Sequence, residues 1–97
     1  MNDINQTLTD REQTHGAFAA NANTSQLFKL VARQNPKWQQ LSDTQREAIE
    51  MILHKVSRAI NGDHKHADNY HDIAGYAALV EKELNAPEAK SEPEPTE

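Results

Sequence analysis

Ser42 is followed three residues later by Gln45, and from there Ile49, Ile52, Leu53, Val56 and Ile60 recur at three- and four-residue intervals. A Ser and a Gln at that separation make a capping box, and apolar residues so spaced form one narrow stripe on a helix. A strand has no use for this pattern, because its faces alternate with period two. The signals predict a helix from about Asp43 to Ile60, stopped by Asn61-Gly62-Asp63 with Gly62 in the left-handed cap conformation. A second helix is predicted from Asp68 or Asn69 to about Leu84, with Ile73, Tyr76, Ala77, Val80 and Leu84 on one face. Upstream, Leu27, Leu30 and Val31 predict a shorter helix from about Thr24 to Gln34, closed by Asn35-Pro36 because the residue before proline avoids helical geometry. Trp38 and Leu41 are expected to anchor the connecting turn to the core.

Before Thr24 the pattern weakens. Thr9 or Asp10 can cap a helix through Arg11 to His15, but Gly16 lowers helix propensity and Asn21-Ala22-Asn23-Thr24-Ser25 invites a break, so a short helix or turn is expected. No stretch alternates with period two and no hairpin signal is present, which makes the expected fold all-α, a small bundle of three to four helices. The expected organisation is a flexible N-terminus over 1–9, a helical domain over 10–85 and a disordered acidic tail over 86–97. That tail carries four glutamates against one lysine and three of the four prolines, without a large apolar residue.

Composition narrows the partners. A chain of 97 residues with 36% hydrophobic residues supports one modest core, and self-association is an obvious way to add buried area, so a homo-oligomer is expected. Cysteine is absent, which excludes disulfides and thiolate chemistry. No apolar run approaches the roughly 20 residues of a membrane span. With a formal charge of -5 and no basic cluster interleaved with aromatics, the chain has no nucleic-acid footprint. The reading is of a cytoplasmic protein without a membrane or nucleic-acid partner.

Two acidic pairs carry the clearest chemistry. Glu47 and Glu50 are three apart on the first predicted helix, and Asp68 and Asp72 are four apart on the second, so each pair can share a helix face. Oxygen ligands from two neighbouring helices suit a hard cation such as Mg2+, while the same spacing also suits solvated surface charge. At about 100° per residue, Glu47, Glu50 and His54 fall away from the apolar stripe, and Asp68 and Asp72 lie beside Gly75 and Leu79. They form a site only if another helix or subunit closes over them. His64, His66 and His71, with Asp63 and Asp68, lack the fixed spacing of a dedicated zinc site and are read as a flexible loop.

Thr14-His15-Gly16-Ala17-Phe18, Asn35-Pro36-Lys37-Trp38-Gln39-Gln40-Leu41-Ser42, Gln45-Arg46-Glu47-Ala48 and Asp72-Ile73-Ala74-Gly75-Tyr76-Ala77 resemble a family of small, mostly phage-encoded proteins of unknown function. More loosely, the layout resembles the MazG-like all-α nucleoside triphosphate pyrophosphohydrolases, in which a helix bearing Glu-x-x-Glu precedes one bearing Glu-x-x-Asp. That resemblance implies Glu47, Glu50 and Asp72 as catalytic residues and Mg2+ as cofactor. Position 69, where the pattern has Glu, is Asn69, with Asp68 as a stand-in fourth ligand, and the His-Gly-Asp-Phe pattern is here His15-Gly16-Ala17-Phe18. Lys55 and Arg58 are the nearest cations for phosphate contacts and equally suit a solvated face; Tyr76 can stack on a base, though at the edge of an apolar stripe a tyrosine is more often a core residue; His15 can cap locally or reach the cleft. Two functions follow: a magnesium-dependent nucleotide pyrophosphohydrolase, or a non-catalytic phage accessory protein that binds a host protein or a nucleotide through its helical surface.

Overall fold

The computed structural model describes residues 3–87. They form four α-helices, α1 (Asp3–His15), α2 (Phe18–Gln34), α3 (Asp43–Asn61) and α4 (Ala67–Asn85), with a 3-10 turn at Trp38–Gln40 and no strand among the described residues. The predicted all-α class is what the chain adopts. The capping box at the start of α3 is complete: the Gln45 amide donates to Ser42 Oγ at 3.1 Å, and the Ser42 amide donates to Gln45 Oε1 at 2.8 Å. Two otherwise orphaned amides at the helix entrance are thereby satisfied.

α3 is the central element, in contact with α4 on one side and α2 on the other. Its small residues set the approach, since Ala48, Ser57 and Ala59 are buried while Ile49, Ile52, Leu53 and Val56 are half-buried. The connecting turn is anchored by Trp38, buried as expected, with Leu41 half-buried beside it. α2 differs from expectation by starting at Phe18, so the polar run from Asn21 to Ser25 does not break it. The reason lies in where these side chains go. Asn21 and Ser25 are buried, with Phe28 and Ala32 half-buried further along, so the inward face of α2 simply begins with polar residues. Asn21 Nδ2 donates to the His15 carbonyl at 2.6 Å, and Asn61 Nδ2 on α3 donates to Thr24 Oγ1 at 3.1 Å. Side-chain hydrogen bonds thus go to other elements instead of competing with the backbone of α2.

α1 is longer than the short helix or turn expected and reaches back to Asp3, into the segment read as flexible, with no buried residue of its own. Two glycines dock it. Gly16 has φ of 86°, and a Cβ there would strike the Asn61 backbone; a Cβ on Gly62 would strike the backbone of Thr14 and His15. Gly62 does cap α3, but at φ -114° and not in the left-handed conformation predicted. It is glycine because α1 passes too close for a side chain, and the positive φ belongs to Gly16. The Asp63 amide completes the junction by donating to the Thr14 carbonyl at 2.7 Å. The acidic tail expected over 86–97 falls, from residue 88 onward, outside the described residues.

Candidate functional site

The outward side of α3 carries Glu50, and α2 closes over it. Arg33 Nε and Nη2 donate to the two Glu50 carboxylate oxygens at 2.7 and 2.8 Å, a bidentate fork. The hydrogen bonds from Arg33, followed by its charge, hold the Glu50 carboxyl below its ordinary value of 4.5 despite partial burial. On the other side of α3, Lys55 Nζ lies 2.9 Å from Asp72 Oδ2 on α4, and this contact lowers the Asp72 carboxyl in the same way. Both acids therefore stay ionised and each is matched to a cation of its own chain.

Glu47 is exposed, and Asp68, with its side chain 81% exposed, lies 3.7 Å from His66 Nε2. Asn69 is instead turned inward and is 1% exposed. An ionised glutamate in that position would have to be paired within the bundle, whereas the neutral amide, whose Nδ2 has no hydrogen-bond partner, costs less to bury. Asp68 does not take the place of residue 69, because one residue along a helix is about a 100° turn. A magnesium ion requires several oxygens converging on one point, near 2.1 Å each. Among the described residues, no three His, Asp or Glu side chains are placed to hold a metal. Glu47, Glu50, Asp68 and Asp72, as positioned in one chain, do not fit the ion, and the same holds for His64, His66 and His71.

Of the residues expected to meet a substrate, two come together elsewhere. His15 and Arg58 line a cavity of about 360 Å³ between α1, α2 and α3, together with Arg11, Asn21 and His54. His15 also makes an edge-to-face contact with His66, the ring centres 5.4 Å apart. Tyr76 lies apart from this cavity, on an open groove of α4 with Asp72 and Leu79, and Lys55 is committed to Asp72. Gly75 in that groove has open space where a Cβ would stand. Arg11, Arg33, Asn21 and His54 are functional candidates that the motif comparison left out. Arg33 carries no local signal of its role, since its partner is seventeen residues away. Asn21 carried none either, since its partner is the His15 carbonyl of another helix.

The Arg33–Glu50 pair makes a testable contribution to stability. A carboxyl held low in the folded state stabilises the fold above its unfolded pKa, and that stabilisation is lost as pH falls through the lower folded value. Glu50→Gln is expected to cost no more than about 1 kcal/mol at neutral pH, because the Arg33 side chain is 47% exposed and solvent-screened. Urea denaturation of both proteins should give curves that converge as pH drops below 4.5. A difference that persists or grows in acid would contradict this origin.

The fold and these sites define a small all-α protein with in-chain ion pairs across its helices and a basic cavity at one end. The chain belongs to the family described as a domain of unknown function, DUF6378, whose model matches residues 1–84. No curated protein and no solved structure matches it. No described helix is long and apolar enough to cross a membrane.

Proposed function

We propose that this chain is a non-catalytic accessory protein, of the phage type its sequence resembles, which binds through its helical surface and works as a homo-oligomer. The observation that carries this reading is the uncovered stripe on α2, where Leu27, Leu30 and Val31 are 54%, 51% and 70% exposed. Fully burying one such side chain contributes roughly 1.5–3 kcal/mol, so three together on one helix favour a covering surface. Among the described residues, the buried hydrophobic ones are Trp38, Ala48 and Ala59, a small core for a folded domain. A two-fold pair would cover the stripe of both copies with one self-complementary contact.

The hydrolytic alternative draws less support. Its carboxylates would have to leave Arg33 and Lys55 before meeting around an ion, breaking two ion pairs that join α2, α3 and α4. Light scattering across a protein dilution series tests the assembly: the native chain is expected to be larger than a monomer, and Val31→Asp, which places a charge on the stripe, to run as a folded monomer. A native chain that is monomeric at every concentration, or a Val31→Asp variant that assembles unchanged, would refute it.

A further inference from the structure

The cavity between α1, α2 and α3 is lined by Arg11 and Arg58, more positive charge than the described residues pair. Arg11 projects from α1 and Arg58 from α3, and neither takes part in an ion pair among the described residues. Among the described residues, Glu12 is the one acidic residue lining it. Like charges lining one cavity repel, and an anion between them is stabilised. Two unpartnered polar atoms argue separately for a ligand that also carries a hydrogen-bond donor. Asn21 lines the cavity, is 5% exposed, and leaves its Oδ1 without a hydrogen bond; His15 Nδ1 is buried and also lacks one. Buried polar atoms without partners are uncommon in folded proteins and suggest a missing ligand. In addition, α2 begins at Phe18 behind Ala17, which provides no side-chain cap, so the positive end of that helix is open at a cavity lined by Gly16 and Phe18.

We infer that this cavity is a binding site for a small organic phosphate of mononucleotide size. Arg58 and Arg11 grip the phosphate, Asn21 Oδ1 accepts from a ligand hydroxyl, and the exposed side chains of Leu8 and Phe18 offer apolar contact to the organic part. A volume of about 360 Å³ falls within the range of small-molecule pockets, roughly 300–1,000 Å³, and exceeds what bare phosphate needs. The histidines report the field. His15 is held below 6.5 by burial and then by Arg58, His66, Lys55 and Arg11; His54 is held below 6.5 by burial and then by Arg58, Lys29, Lys55 and His15. With Glu12 as the local counter-charge, a bound dianion offsets this field and raises both histidines, so binding takes up protons and tightens as pH falls through their raised values. The site uses none of Leu27, Leu30 or Val31, so its test is separate from that of the assembly.

Adenosine monophosphate, adenosine and inorganic phosphate serve as probes against the full chain, with the histidine ring signals followed by NMR. Adenosine monophosphate is expected to shift the His15 and His54 signals and raise their pKa values, with adenosine and inorganic phosphate each binding about tenfold more weakly or less. Arg58→Gln is expected to weaken adenosine monophosphate by about tenfold, and Arg11→Gln, on the exposed α1, provides the same reading should the first variant fail to fold. Absence of any shift, inorganic phosphate binding as tightly as the nucleotide, or undiminished affinity in the folded variants would overturn the inference.

Discussion

Trp38→Ala is expected to lower the stability of this chain by about 3–5 kcal/mol, the usual cost of deleting a large buried aromatic. Trp38 is the only tryptophan and is 7% exposed, the largest of the buried hydrophobic side chains beside Ala48 and Ala59. Its amide donates to the Asn35 carbonyl at 2.9 Å, and its own carbonyl accepts from Leu41 at 3.1 Å, which closes the turn between α2 and α3. Removing the indole empties the main packing site of that turn, and among the described residues the only other buried apolar side chains are Ala48 and Ala59. Against a typical total of about 5–15 kcal/mol, a substantial unfolded fraction follows. Urea unfolding followed by circular dichroism measures the loss without relying on the missing fluorophore. A change under about 1 kcal/mol would mean that Trp38 fills no essential space.

Gly16→Ala is expected to undock α1. A residue with a Cβ held at φ of 86° carries strain of about 1–3 kcal/mol, and here the same Cβ also overlaps the Asn61 backbone at the end of α3. α1 has no buried residue with which to absorb that cost, so release of the helix is the easier response than unfolding of the α2–α3–α4 body. Amide hydrogen exchange over Asp3–His15 should become fast in the variant, while α3 and α4 keep their protection. Gly62→Ala should do the same from the opposite side, since its Cβ meets Thr14 and His15. Unchanged protection of α1 in both variants would show that the junction tolerates a side chain.

The parts of the fold that depend on local signals were readable from the chain. The Ser42–Gln45 box and the Ile49 to Ile60 spacing fixed the start and the apolar face of α3, and Asn35-Pro36 marked the end of α2. What depends on distant contacts was not readable. Asn21 and Ser25 look like helix breakers until α1 and α3 are placed beside them, and Gly62 looks like a left-handed cap until α1 is found crossing it. The acidic pairs illustrate the same limit for the site. Spacing places Glu50 and Asp72 on helix faces correctly, but their nearest neighbours come from α2 and α3, and Arg33 and Lys55 turn a candidate ligand set into cross-helix ion pairs. Conversely, His15 and Arg58, named separately in sequence, meet because two glycines let α1 close on α3.

Whether Glu50 and Asp72 hold the bundle together or join Glu47 in holding a metal is decided most directly by titrating Mg2+ and Mn2+ into the purified chain. Thermal stability and pyrophosphate release from nucleoside triphosphates are followed together, for the native protein and for Glu50→Gln. A ligand that binds only the folded state must raise its stability. The prediction is no metal-linked stabilisation and no pyrophosphate from either protein. Metal-dependent stabilisation with pyrophosphate release in the native chain, both lost in Glu50→Gln, would contradict it.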